Sequence, residues 1–237
     1  RYNYDKVFIF NSSLRFNLIA KLSKIPEILQ YPLFNKKNQH IIDTAKNFIE
    51  TKLNIKINED PKIELIENSI QEAINKYNID KNKINILLGI GASGPTKRIP
   101  AETFLKVIDK ILMKKNCHFF LATGKNEDEQ KILKQILNSR YNKVCTPLDN
   151  LSIKETLPVI KNCDIAICND TGFGHLSAAL EIKTIMLIAD APLMYGNYSK
   201  KMYPIIPDGE KTVTHGTRGK DKINPIKIYE KILEILY

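Results

Sequence analysis

Three features of the 237-residue sequence predict an α/β fold built on a parallel sheet. From Asn85 onward, short apolar runs alternate with helical patterns across short loops, which is the pattern of a parallel sheet covered on both faces. Two of those runs, ending at Leu88 and Cys168, open directly into turns rich in glycine and small polar residues. Hydrophobic residues make up 43% and charged residues 26%, enough for a real core. No apolar run approaches the ~20 residues that span a bilayer.

Asp5 to Phe10 reads as a buried strand, and Asn11-Ser12-Ser13 as the cap of a helix from Leu14 to Leu22. Pro26 and Pro32 punctuate a loop. His40 to Leu53 is an amphipathic helix, with Ile41, Ala45, Phe48, Ile49 and Lys52 at helical spacing. Lys62 to Ile66 reads as a short strand and Glu67 to Tyr77 as a helix. The polar stretch Asn78 to Lys83 is the expected domain boundary. The first residue is Arg1, not Met, with a strand following at once, so a further N-terminal part is expected.

Asn85 to Leu88 is the next strand, and it leads into Gly89-Ile-Gly-Ala-Ser-Gly94-Pro-Thr-Lys97-Arg98-Ile-Pro100. Gly89, Gly91 and Gly94 satisfy G-x-G-x-x-G, the dinucleotide fingerprint. Its context differs from a nicotinamide site. Pro95 follows immediately, the helix begins near Pro100, and the strand His118 to Ala122 ends in Thr123-Gly124, where a ribose-binding acid would stand. A phosphate-cradling loop fits better, with Ser93 and Thr96 as hydroxyl donors and Lys97 as a point charge. An ordinary strand-to-helix turn with a solvated Lys97-Arg98 pair is the plainer reading.

Ala101 to Met113 is a helix with Phe104, Leu105, Ile108, Ile111 and Leu112 inward. Gly124-Lys-Asn-Glu127 closes the following strand, and Glu127 by itself is a first-turn helix acid. The helix runs from Glu129 to Leu137. Val144-Cys145 is a short strand. Ser152 and Glu155 form a capping box, beside which Leu151 reads as a hydrophobic staple. Thr156 to Asn162 completes that helix. Cys163 to Ala179 then reads as strand, tight turn and helix, with unpaired N–H groups at the helix N-terminus suited to an anion. Asp170 brings a carboxylate, Thr171 a hydroxyl and His175 a donor; in isolation, Asp170 or Thr171 would be an N-cap and His175 a surface residue. Thr184 to Ala189 is the last clear strand. Tyr195 to Gly209 is irregular, Thr212 to Lys222 is basic, and Pro225 to Leu236 is a helix.

The spacing D-T-G-x-x-H-L-x-A-A from Asp170 to Ala179 resembles the signature of the family-9 glycosyltransferases, the ADP-heptose:lipopolysaccharide heptosyltransferases. The resemblance is good from Ile84 to Ile188 and weak in the flanks. It implies the GT-B architecture, two Rossmann-like parallel-sheet domains with a cleft between them, the N-terminal one incomplete here. Residues 1–80 would be a partial acceptor-side domain, 81–215 the nucleotide-sugar-binding domain, and 216–237 a tail and helix packing back toward the N-terminal domain. The resemblance places Ser93, Gly94 and Lys97 on the donor pyrophosphate, Glu127 on the nucleoside ribose, Leu151 on the adenine, and Asp170, Thr171, Gly172 and His175 around the sugar and phosphates. Ile90 and Ile99 depart from the family's proline and tryptophan. Ala189-Asp190-Ala191-Pro192 departs from its Gly-x-Thr-x-Pro loop, which puts the donor sugar in doubt.

The function so implied is inverting transfer of a heptose or related sugar from ADP-heptose to a lipopolysaccharide-core, lipooligosaccharide or capsule acceptor. Lys97 would stabilise the departing diphosphate. The general base is expected before Arg1, since Asp5 precedes a buried strand and is a poor substitute. No metal or other cofactor is required, as no D-x-D loop is present. The formal charge of +10 suits phosphorylated glycolipids and the cytoplasmic face of the inner membrane, and no motif supports nucleic-acid binding. Cys117, Cys145, Cys163 and Cys168 read as free buried thiols of a cytoplasmic protein. A nicotinamide-dependent oxidoreductase and a non-catalytic nucleotide-sugar-binding protein are the alternatives.

Overall fold

The computed structural model describes residues 3–32 and 41–237, which divide into two units between Glu59 and Asp60. In the first unit, strand β1 (Lys6–Ile9) leads to helix α1 (Leu14–Leu22), whose first turn is capped by the Ser13 hydroxyl accepting from Arg15 N at 3.3 Å. Strand β2 (Glu27–Gln30) pairs parallel to β1, so the segment between Pro26 and Pro32 is not the loop that its prolines suggest. Helix α2 covers Ile41–Leu53; its expected first residue, His40, lies outside the described residues. Phe8, Phe10, Tyr31 and Phe48 meet edge to face, with centroids 5.0–6.3 Å apart, the geometry that aromatic quadrupoles favour.

The second unit begins at Asp60, ahead of the polar stretch at 78–83. Lys62–Ile66 forms no strand; it is extended chain, fixed by Ile63 N donating to Ala179 O at 2.8 Å. Helix α3 (Glu67–Tyr77) buries Ala73 in this unit's core, and Asn162 Nδ2 donates to its Ile70 O. Residues 78–83 join two elements of one core, and Ile79 among them is buried in it.

Strand β3 (Ile84–Gly89), helix α4 (Ala101–Leu112), strand β4 (Cys117–Ala122), helix α5 (Glu127–Leu137) and strand β5 (Cys145–Pro147) build one half of a sheet. Helix α6 (Ile153–Lys161), strand β6 (Ile165–Asn169), helix α7 (Gly172–Ala179), strand β7 (Thr184–Leu187) and strand β8 (Met202–Ile205) build the other. All six strands are parallel, in the order β5-β4-β3-β6-β7-β8. Side-chain alternation divides the core. Ile86 and Leu88 of β3 face Phe104, Ile108 and Ile111 of α4 on one side; Leu87 joins Phe120, Val159, Ile160 and Ala178 on the other. Each of the larger side chains among these is worth about 1.5–3 kcal/mol when fully buried.

The C-terminal helix α8 (Pro225–Leu236) starts with proline, where the missing N–H costs nothing, and Asn224 caps it by accepting from Ile226 N. Its buried face, Ile228, Ile232 and Ile235, packs with α4 on this unit's sheet, and Lys183 Nζ donates to Ile235 O. The same helix also lies against β7.

Candidate functional site

In a doubly wound sheet, ligands bind at the carboxyl ends of the strands where the strand order reverses. Here that point lies between β3 and β6, because the chain runs outward from β3 through β4 to β5 and then returns to β6. The two glycine-containing turns found in the sequence meet there.

The turn after β3 is fastened below by Asn169, at the end of β6. Asn169 is fully buried and its Nδ2 donates to Ile90 O at 2.8 Å. Ile90, Ala92 and Ile99 are buried and hold the turn from inside. Burial of Ile90 and Ile99 shows that both positions are met by packing alone. Ser93 is exposed at the tip, and nothing lies within 4 Å of the Cβ position of Gly94. Lys97 bends back, and its Nζ lies 2.5 Å from Asp170 Oδ2. Their side chains are 23% and 8% exposed, so the pair is shielded but open to one side.

Helix α7 starts at Gly172, so Gly172 and Gly174 of the glycine-containing turn are helical. Gly174 permits this: a Cβ there would stand 2.5 Å from Met186 Sδ and 3.2 Å from Cys168 Cβ. The helix therefore rests against β6 and β7, with Ser177 and Ala178 buried. Thr171 is its N-cap but makes no side-chain capping bond, and Gly172 is exposed with open space beside it. The helix end thus presents backbone N–H groups and partial positive charge toward Lys97. His175 Nε2 stands 4.0 Å from Asp170 Oδ1, and its Nδ1 is 2.7 Å from the Tyr198 hydroxyl. Burial pushes the His175 pKa below that of free imidazole; Asp170 opposes this and Lys97 reinforces it. The ring is therefore neutral near pH 7 and can still donate or accept one hydrogen bond.

Glu127 is not part of this arrangement. Its side chain is 86% exposed and pairs with Lys131 at 3.2 Å. Two residues on, Glu129 is 6% exposed and lies between the turns, where a Cβ on Gly91 would be 2.4 Å from its Oε1 and one on Gly124 2.3 Å from its Oε2. The reason is the start of α5. Asn126 caps the helix, accepting from Glu129 N at 3.0 Å and donating to the Glu129 carboxylate, so Glu127 takes the outward first position and Glu129 the inward third. The N-x-x-E pattern from Asn126 was the available signal. Leu151 is half-buried, packed on the β5 side beside the capping box of Ser152 and Glu155. Among the described residues no group of three or more His, Cys, Asp or Glu is arranged to hold a metal ion, and no helix is long and apolar enough to cross a membrane. All four cysteines are buried and free.

A family model described as glycosyltransferase family 9 (heptosyltransferase) matches residues 29–204. Lipopolysaccharide heptosyltransferase 1 of Campylobacter coli is 26% identical over 235 residues, spanning 85% of this chain and 68% of that protein. Two solved structures share the fold. The ADP-heptose lipopolysaccharide heptosyltransferase II of E. coli has a TM-score of 0.75 at 17% identity, covering 98% of this chain and 76% of that one. The E. coli heptosyltransferase WaaC with ADP has a TM-score of 0.69 at 15% identity, covering 99% and 73%.

Proposed function

Because the chain belongs to glycosyltransferase family 9, the heptosyltransferase family, we propose that it transfers heptose, or a closely related sugar, from ADP-heptose to a lipopolysaccharide or lipooligosaccharide core acceptor, with inversion. The observation that carries this reading is the Lys97–Asp170–His175 cluster beside the uncapped start of α7, at the reversal point of the sheet. One ammonium and a set of backbone N–H groups converge where a diphosphate would sit, and one carboxylate stands where sugar hydroxyls need an acceptor. The two E. coli structures are an ADP-heptose heptosyltransferase and a heptosyltransferase with ADP, which agrees with this chemistry.

In the mechanism, Lys97 exchanges its contact with Asp170 for the diphosphate as the glycosidic bond breaks. Its charge and the α7 N–H groups offset the negative charge that develops on the leaving group, the task a metal ion performs elsewhere. Asp170, relieved of Lys97, accepts from sugar hydroxyls, and neutral His175 adds a hydrogen bond to sugar or phosphate. Glu129, not Glu127, accepts from the ribose hydroxyls, Ser93 and the open backbone at Gly94 meet the pyrophosphate, and Leu151 lies against the base. Inversion needs a base on the acceptor side; that role falls to none of these residues. The acceptor's phosphates and the +10 charge suit work at the cytoplasmic face of a membrane, as a peripheral protein.

Calorimetric titration with ADP, ADP-heptose, UDP and NAD tests the reading. ADP should bind in preference to UDP and NAD, Lys97→Ala should weaken it about tenfold, the loss of one charge-assisted bond, and Asp170→Ala should remove the extra affinity contributed by the sugar. Tighter binding of NAD would return the Gly89–Gly94 fingerprint to an oxidoreductase role.

A further inference from the structure

In the Lys97–Asp170–His175 cluster, what His175 can do depends on how its ring is turned and which nitrogen carries the proton. A diphosphate offers only acceptor oxygens near neutral pH, so a neutral imidazole serves it only through an N–H. Nε2 is the nitrogen on the side of the cluster, 4.0 Å from Asp170 Oδ1. Nδ1, on the other side of the ring, is 2.7 Å from the Tyr198 hydroxyl. The two rings also stack, with centroids 5.6 Å apart and planes 11° from parallel. The hydrogen bond resists a flip of the imidazole, and the stacking resists a tilt.

Tyr198 is itself held from behind. Ser199 Oγ donates to Asp60 Oδ2 at 2.8 Å, and Lys200 N donates to the same oxygen at 3.2 Å. Three residues after Asp60, Ile63 N donates to the carbonyl of Ala179, the last residue of α7, at 2.8 Å. The chain from Asp60 to Ile63 thus braces both the helix that carries His175 and the loop that carries Tyr198. Burial, aided by the Asp60 carboxylate, holds the Tyr198 pKa above the ordinary tyrosine value, so the hydroxyl keeps its proton.

A neutral imidazole has one proton for two nitrogens. The Asp170 carboxylate only accepts, whereas a tyrosine hydroxyl can donate or accept. Lys97 Nζ engages Asp170 Oδ2 at 2.5 Å, which leaves Oδ1 facing the ring. A proton on Nε2 turns an N–H toward that oxygen; a proton on Nδ1 would turn a lone pair toward a negative charge. The hydroxyl then completes the first arrangement by donating to Nδ1, since the bond made at one ring nitrogen sets the state of the other. We propose that Tyr198 is a positioning residue for His175: its hydroxyl donates to Nδ1 and its ring backs the imidazole, so that Nε2–H is aimed at the oxygens of the bound nucleotide sugar. This rests on the donor-site reading above. Tyr198 acts through His175 and need not touch the donor.

The experiment combines nitrogen-15 NMR of the histidine rings with calorimetric titration of ADP-heptose and of adenosine. His175→Gln assigns the His175 signals. At about pH 8, where the ring is neutral, the unsubstituted chain should show a single Nε2–H tautomer with widely separated Nδ1 and Nε2 signals. Tyr198→Phe keeps the stacking ring and removes the hydroxyl, so the two signals should approach each other as the second tautomer is populated. Affinity for ADP-heptose should fall about threefold to tenfold in that variant, part of one charge-assisted hydrogen bond. Adenosine, which has neither the diphosphate nor the transferred sugar, should bind as before. In a His175→Gln background, Tyr198→Phe should cost nothing further, as expected of residues that act as one unit. An Nδ1–H tautomer in the unsubstituted chain would overturn the orientation, as would His175 signals unchanged in Tyr198→Phe. An equal loss of ADP-heptose affinity with and without His175 would overturn the positioning role. Failure of the unsubstituted chain to bind ADP-heptose, with the expected NMR signals, would overturn the donor reading beneath the proposal and leave the tautomer measured.

Discussion

Replacing Gly91 by alanine tests how the two turns are fitted together. The new Cβ would stand 2.4 Å from Glu129 Oε1 and 2.9 Å from Thr123 Oγ1, where ordinary contact begins near 3.4 Å. Glu129 would have to retreat by about 1 Å. The end of a glutamate side chain usually moves at little cost, but this one is enclosed. Gly124 lies against its other oxygen, so that even a Cβ there would be 2.3 Å away, and Asn126 holds the carboxylate. The expected cost is that of overpacking, about 1–3 kcal/mol. Loss of the charged hydrogen bond with Asn126 brings the total toward about 3–4 kcal/mol. Urea unfolding followed by circular dichroism gives the stability, and ADP titration of the same protein gives the effect on the site. Glu129→Ala in the Gly91→Ala background should recover about 1–2 kcal/mol, the coupling expected of residues in contact. If Gly91→Ala costs the same whether or not residue 129 carries a carboxylate, the clash is not with Glu129 and the enclosure argued here is wrong.

Glu127→Ala should leave ADP affinity unchanged, whereas Glu129→Gln should weaken it about tenfold by replacing a charged acceptor with a neutral one; equal effects in the two titrations would contradict the assignment. Burial lowers the pKa of both His118 and His175, with Lys83 assisting at His118. The unfolded chain then binds more protons below the ordinary histidine value of 6.5, so stability present above that pH is lost as the pH falls through it. Melting temperatures should drop between about pH 7 and pH 5, and the drop should be shallower in His118→Gln; a steeper one would reverse the sign argued here. Phe104→Ala, at a fully buried position of α4, should cost about 3–5 kcal/mol in urea unfolding, with a cost below about 1 kcal/mol contradicting its place at the centre of the core.

How far the sequence foretold this depends on how strongly each residue pattern constrains the backbone. The central strands were legible because β3, β4 and β6 are buried on both faces and read as continuous apolar runs. The edges were not. Strand β8 contains Pro204, and proline within a run argues against a strand unless the strand lies at an edge, as β8 does. Strand β2 lies between Pro26 and Pro32, and four residues carry too little alternation to outweigh those signals. Lys97, Asp170 and His175 meet as their motifs suggested, because each sits on or beside a short turn at a strand's end. Glu127 turns outward because a first-turn acid and an inward acid differ only in where the helix begins, and Asn126 fixed that start two residues ahead of the apolar pattern. Asp190 accepts from Gly216 N and Arg218 N, partners that no local pattern announces because their approach depends on the fold around them.

The reversal of strand order has a consequence for assembly. The β3-β4-β5 half closes through local crossovers, and so does the β6-β7-β8 half. Lys97 and Asp170 belong to different halves and stand 73 residues apart in sequence. Their meeting is a late event, reached after the loop-closure cost of joining the halves has been met. A diphosphate gripped by Lys97 on one side and the start of α7 on the other would act as a clasp across that seam. At a hundredfold excess over its dissociation constant it would add about 2.7 kcal/mol to the closed state. A chain nicked between β5 and α6 would then leave two fragments, each holding half the clasp, that the nucleotide draws together.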